Sequence, residues 1–379
     1  MIVIHTENKN KYIEFLTSIC KIETPSDNKA NIDKMVDFIQ KFSAENDFQT
    51  ERFAFENAGD FLLVKMAGDE NKKPVLLMAH MDTVHKIGAF GDEIVTRDGD
   101  WLYGPGVMDC KGGIAVGFYV MELLKSEPNF NRPVYLLLTS DEEVNCCFSG
   151  QKGKDLIMNT AKQACAAFNF EASRPGAVTI GRKGILTMRF EIDGVSGHAG
   201  NAYFESASAI KEAAHLVLEI EGLSQKDGAT YNCGVIKGGK VSNVVPDKCD
   251  IEIDIRAATE EEMRKAEQTM YDLAQKAVVE NTKRTVKLIN QRPPMKVTDK
   301  TIQLLEKWNN AAKSLGMGEV KGISNKGGGS DAAYAVIAGV PTLCSCGPVG
   351  YGEHSPNEKL DLSTFDDMAE LICNTIKLI

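Results

Sequence analysis

The chain has 379 residues, 43% of them hydrophobic, which leaves room for two or more domains with sizeable cores. Against 53 acidic residues stand 43 basic ones, a net charge of -10 with no extended basic tract, and that balance argues against nucleic acid as a partner. No apolar run approaches a membrane span, and the start MIVIHTENKNKYIEF turns polar too early for a signal-peptide core, so a cytoplasmic protein with its ten cysteines reduced is expected.

Two amphipathic helices open the chain. Tyr12, Phe15, Leu16 and Ile19 share one face, and Ile32, Met35, Val36, Ile39 and Phe42 share another. The runs FLLVKMA, PVLLMAH, PVYLLLTS and ACAAFNF then read as strands. The last three are nearly continuous apolar segments separated by helices such as IAVGFYVMELLKS, the pattern of a mostly parallel α/β sheet buried on both faces. From about Thr179 the texture changes to alternating strands and amphipathic helices in the order βαββαβ, which predicts a ferredoxin-like α+β insert with an antiparallel sheet. The paired prolines of NQRPPMKVT mark its end, and the final helix begins near LSTFDDMAELI, where Ser363 and Asp366 suit a capping box. The expected organisation is a discontinuous catalytic domain, residues 1–178 and 291–379, with an inserted domain at 179–290.

The polar clusters follow the buried strands, at the edge where open α/β sheets bind ligands. LLMAHMDTVHKIG carries His80, Asp82 and His85; YGPGVMDCKGG carries Asp109; LLTSDEEVN carries Glu142 and Glu143; FNFEAS carries Glu171; YGEHSPNEK carries His354. Each alone reads as readily as a polar loop. Together, two imidazoles and several carboxylates suit a pair of zinc ions sharing a carboxylate at roughly 3.5–4 Å, although cobalt or manganese fits the same donors. Asp82, two residues beyond His80 in an extended chain, points the same way and suits the imidazole's other N–H. Glu142 and Glu143 are adjacent and should point differently, one towards metal and one towards a water that needs a base.

The ordered motifs HMDTV, GPGVMDCKGG, TSDEEV, GVSGHAGN, VSNVVPD, GGGSDAAYA and GEHSPNEKLDL resemble those of a di-zinc hydrolase family. It includes acetylornithine deacetylase, succinyl-diaminopimelate desuccinylase, aminoacylase and bacterial glutamate carboxypeptidase. The resemblance implies that His80 and Glu171 hold one zinc, Glu143 and His354 the other, and Asp109 bridges them. It further implies Glu142 as catalytic base, Asp82 as orienter of His80, and a cis peptide at Asp109–Cys110. His85 matches no ligand position. The resemblance also implies that the insert acts as a lid that forms a homodimer, with His198 reaching a neighbouring active site to stabilise an oxyanion and Asn243 and Arg256 holding a substrate carboxylate.

In NKGGGSDAAYAVI, the backbone N–H groups of Gly328 and Gly329 are expected to cradle an anionic substrate end ahead of a helix. GVIKGGKV nearly spells a phosphate-binding loop, but Val241 stands where Ser or Thr is required, so a lid hairpin is expected there. GRKG, HAGN and GGGSDAAYA look most like glutamate carboxypeptidases, implying release of an amino acid with a free carboxylate from a small peptide or N-acyl amino acid. An acetylornithine- or succinyl-diaminopimelate-type deacylase is the nearest alternative, and a tripeptidase the next. One departure stands out: VNCCFSG follows the acidic pair where the family has small residues, which would bring Cys146 and Cys147 near the cleft.

Overall fold

A computed structural model describes residues 6–379; the apolar start weighed above as a signal-peptide core lies, for residues 1–5, outside the described residues. The chain divides into two compact units, one running through Gly181 and including Val297–Ser324 and Ser330–Ile379, the other comprising Arg182–Lys296 and Asn325–Gly329.

The first unit is built on eight strands: β1 (Gln49–Phe53), β2 (Phe61–Met66), β3 (Val75–His80), β4 (Val134–Thr139), β5 (Ala166–Asn169), β6 (Ala177–Thr179), β7 (Lys321–Ile323) and β8 (Thr342–Cys344). Their order across the sheet is β1-β2-β4-β3-β5-β8-β6-β7. The centre is parallel: β3 runs with β4, His80 facing Thr139, and with β5, Met78 facing Asn169, while β5 runs with β8. β1 and β2 form an antiparallel edge. Every residue of β3 is buried, as expected for a strand covered on both faces.

One face is covered by helices Thr6–Cys20, Lys29–Glu45, Lys111–Lys125 and Phe365–Lys377. The helix Lys111–Lys125 is buried almost all round because its sequence is apolar on every side. Phe15 stacks on Phe42 at 4.1 Å between ring centres and meets Phe118 edge-on at 5.3 Å. The other face carries Gly150–Gln163 and Ala332–Ile337 over Phe61, Leu137 and Ala167.

The second unit has four long strands, Gly184–Asp193, Thr230–Gly238, Lys248–Ala257 and Lys283–Arg292, with helices Ala209–Glu221 and Glu260–Ala274 between them. All pairings are antiparallel, and the sheet orders the strands second, third, first, fourth, the ferredoxin-like arrangement. Residues of Gly184–Asp193 alternate buried and half-buried, which places Leu186, Met188, Phe190 and Ile192 against the helices.

Three details differ from the sequence reading. The last strand does not end at Asn290 but pairs on to Arg292 opposite Ile185, so the prolines rather than the asparagine stop it. Gly328 and Gly329, expected within the catalytic domain, belong to the second unit. The final helix starts at Phe365 without a side-chain cap, because Ser363 is turned back onto Asp361, whose Oδ1 accepts from both its N–H and its hydroxyl.

Candidate metal centre

His80 is the last residue of β3, and because β3, β4, β5 and β8 run parallel, the segments leaving their C-terminal ends emerge at one edge. His80 Nε2 lies 3.1 Å from Asp109 Oδ1 and 3.9 Å from Glu171 Oε1. His354 Nε2 lies 3.4 Å from the other Asp109 oxygen, Oδ2, and 3.2 Å from Glu143 Oε2. Asp109 thus turns one oxygen to each imidazole. Ligand atoms of His80, Asp109 and Glu143 fall within 4.8 Å of one another, as do those of His80, Glu142 and Glu171. The unit therefore gathers all six residues, read from five separate motifs. The Asp109–Cys110 peptide is cis, as the resemblance implied.

Local sequence explains the close approach. The helix after Asp109 begins Lys111-Gly112-Gly113, and a Cβ on Gly113 would stand 2.3 Å from the Phe170 carbonyl oxygen. Only glycine lets that first turn sit against the segment that carries Glu171. His354 has φ +61°, a left-handed conformation that histidine adopts more readily than most residues.

Asp82 is fully buried and works in several directions. Its carboxylate lies 3.3 Å from His80 Nδ1, whose nearer partner is the Asp82 backbone carbonyl at 3.0 Å; the carboxylate accepts Ser26 Oγ at 2.7 Å and takes the backbone N–H groups of Glu142 and Glu143 on its two oxygens at 3.1 Å each. Asp82 thus meets the imidazole through both its carbonyl and its carboxylate, and the carboxylate pins the acidic turn. Asp82→Ala should weaken metal affinity by about 10–100-fold, the usual cost of losing a partner that orients a ligand, which competition with a coloured chelator would measure.

The electrostatics are those of two imidazoles packed among carboxylates. Burial would lower the basicity of His80, but the Cys110 sulfur and the Asp109 and Asp82 carboxylates outweigh it and hold its pKa well above the ordinary value. Hydrogen bonds donated to Asp109 and Glu143 lift His354 to about 10. Burial pushes Glu143 up to about 8 although His354 pulls against it, whereas the two imidazoles overcome burial and hold Asp109 far below its usual range. Mixed imidazole and carboxylate donors fit zinc, and each imidazole proton must leave on binding.

His198, Asn243, Arg256, Gly328 and Gly329 lie in the second unit and are described within it. His198 is exposed, and its Nδ1 accepts the N–H groups of Gly200 and Asn201 at 3.1 and 3.3 Å, so the ring's proton sits on Nε2 as a donor. Asn243 is beside it: its carbonyl accepts from Ala199, and His198 pairs with Val244. That pairing occupies the turn after GVIKGGKV, which joins two paired strands and forms no phosphate loop.

Arg256 differs from a free fork, because Nε and Nη2 hold the two oxygens of Asp254 at 2.6 and 2.8 Å, and Nη1 reaches the Gly327 carbonyl at 3.3 Å. The carbonyls of Gly328 and Gly329 accept Arg182 Nη1 at 3.0 and 3.1 Å. These glycines do not open the next helix directly, since it starts at Ala332 and spans six residues. Cys146 packs in the core with Phe61 and Leu137, while Cys147 is exposed.

Sequence reasoning missed Glu358 and the use of His85. Glu358 is buried, and its carboxylate takes His85 Nε2 at 2.7 Å and the backbone N–H groups of Gly106, Met108 and Asp109 at 2.9–3.1 Å. The only signal was the acidic residue four places after His354, and nothing local tied it to Asp109.

Comparison with known proteins places this geometry. The model of Peptidase family M20/M25/M40 matches residues 76–378. The chain is 30% identical over 368 residues to carboxypeptidase G2 of Pseudomonas sp. (strain RS-16), covering 94% of this chain and 86% of that one. It is 27% identical over 281 residues to acetylornithine deacetylase of Myxococcus xanthus, covering 69% and 71%. The fold superposes on a tripeptidase from Staphylococcus aureus with a TM-score of 0.78 over 98% of both chains at 20% identity. A match across most of the chain, and a relative at that identity over nearly its whole length, lead to one conclusion: the chain belongs to Peptidase family M20/M25/M40 and is a metal-dependent hydrolase, a metallopeptidase or amidohydrolase.

Proposed function

We propose that this protein is a glutamate-carboxypeptidase-like exopeptidase that cleaves an amide bond to release an amino acid with a free carboxylate, using two zinc ions. The observation that carries the reading is Asp109, whose two oxygens face His80 and His354 separately at 3.1 and 3.4 Å. His80 and Glu171 would hold one ion and Glu143 and His354 the other, with Asp109 available to both. Bound zinc supplies Lewis acidity to the scissile carbonyl and lowers the pKa of a water. Glu142, its backbone N–H fixed by Asp82, would take the proton of an attacking water and return it to the leaving amine. His198, with Nε2–H as its donor, stabilises the oxyanion. Asn243, the remaining Arg256 N–H groups and the Gly328–Gly329 loop bind the substrate's carboxylate.

The 30% identity to carboxypeptidase G2 supports the choice of substrate class. Two copies are proposed to pair through the second unit, whose edge strand Thr230–Gly238 exposes Val235 and Ile236 and whose helix Ala209–Glu221 exposes Leu218. No helix among the described residues is long and apolar enough to cross a membrane.

A panel of C-terminal glutamyl, aspartyl and aliphatic dipeptides, N-acetyl and N-succinyl amino acids and free-amino tripeptides tests the reading. Highest kcat/KM is expected on the substrates with a C-terminal acidic residue. A preference for acetyl or succinyl donors would make the protein a deacylase, and turnover of tripeptides alone would overturn the carboxypeptidase reading.

A further inference from the structure

Glu358 is a buried carboxylate that no step above uses, and three loops meet on it. His85 belongs to the segment that leaves β3 after His80, and its Nε2 donates to Glu358 Oε2 at 2.7 Å. The N–H of Gly106 donates to the same oxygen at 3.0 Å, while Met108 and Asp109 donate to Oε1 at 2.9 and 3.1 Å. Glu358 itself lies four residues beyond His354, its N–H bonded to the Ser355 carbonyl and its own carbonyl accepting from Gly104 at 3.4 Å. Four donors thus converge on one carboxylate that is 1% exposed. Such charge-assisted bonds are stronger than neutral ones, and burial removes water as a competing partner.

The consequence is geometric. Asp109 must keep one oxygen near His80 and the other near His354, and these residues stand on three different loops. Glu358 is joined to each of them: through His85 to the His80 loop, through three backbone N–H groups to the Asp109 loop, and by covalent chain to His354. We propose that Glu358, with His85 as its companion, is a positioning residue that clasps these three loops and sets the separations Asp109 spans. It acts through the His85 imidazole and the backbone N–H groups of Gly106, Met108 and Asp109. This inference rests on the metal-centre reading given above.

The test is titration of metal-free protein with Co²⁺, followed by its visible absorption, together with melting of the metal-free protein and steady-state kinetics. Glu358→Gln puts an amide donor against a cluster of donors. It is expected to weaken Co²⁺ binding by about 10–100-fold, to alter the cobalt spectrum, and to lower kcat with little change in KM, because Glu358 does not meet substrate. His85→Gln, which keeps a donor to Glu358, should stay near wild type in affinity and spectrum, whereas His85→Leu should follow Glu358→Gln. The two His85 variants carry the test even if Glu358→Gln does not fold.

An unchanged spectrum and affinity in both Glu358→Gln and His85→Leu would overturn the clasp, as would equal losses in His85→Gln and His85→Leu. Either result, with wild type still binding two ions and Glu142→Gln inactive, leaves the metal-centre reading standing. Wild-type protein that takes up no Co²⁺ would overturn both.

Discussion

Glu142→Gln is expected to lower kcat by about 10²–10⁴-fold while leaving metal content and KM near wild type. Glutamine has the same shape and can still accept a hydrogen bond, but it cannot take a proton from water or carry it to a leaving amine. The backbone of residue 142 is held by Asp82 Oδ1 at 3.1 Å, a bond the substitution leaves in place, so the neighbouring Glu143 should keep its position. Metal analysis of the purified variant beside its kinetics separates two roles. Retained metal with lost turnover identifies a base. Loss of one metal equivalent would instead make Glu142 a ligand, a role its closeness to His80 and Glu171 also permits.

Glu212→Ala is expected to destabilise the second unit by about 3–5 kcal/mol, the range for removing one partner of a buried ion pair. Glu212 and Arg284 are both fully buried, with Nε to Oε1 at 2.5 Å. Glu212 also accepts the N–H groups of Val278 and Val279, and Arg284 Nη1 donates to the Leu273 carbonyl at 2.8 Å, near the end of the helix Glu260–Ala274. The pair ties both helices of the unit to its last strand. Truncating the glutamate leaves the buried guanidinium with only Glu219, 3.6 Å from Nη1 and half exposed, as counter-charge, and leaves backbone donors without their acceptor. Urea unfolding of the full chain should show an early transition for this variant.

The same pair sets an acid limit. Burial would raise the Glu212 pKa, but the backbone N–H groups of Val279 and Val278 and the Arg284 guanidinium hold it below the ordinary value. A carboxylate depressed in the folded state stabilises above its unfolded pKa of about 4.3, and that contribution is lost as pH falls through the lower folded value. Acid unfolding of wild type should therefore lose this term only below that range, and Glu212→Ala should lack it at every pH.

Much of this protein was legible before folding. Val75–His80 and Val134–Thr139 announce themselves as buried parallel strands because each apolar run is short, continuous and bounded by polar turns, and the sheet then brings their C-terminal ends to one edge. His80, Asp109, Glu142, Glu143, Glu171 and His354 could be chosen because their chemistry is in their type, and strand direction does the gathering. β1, QTERF, escaped notice since a half-exposed edge strand carries no clear alternation.

Other features depend on pairings that the sequence reading did not anticipate. His85 and Glu358 are 273 positions apart. Whether Arg256 offers a free fork or gives two of its nitrogens to Asp254 depends on how strand Lys248–Ala257 sets two side chains on one face. Ser363 fits a capping box in sequence and forms none, because Asp361 competes for it at closer range. Sequence by itself determined which elements form, which faces are buried and which side chains can bind a cation, all consequences of periodicity and residue chemistry. Tertiary structure alone decided which donor meets which acceptor, since a buried polar group takes whichever partner the packing brings within about 3 Å.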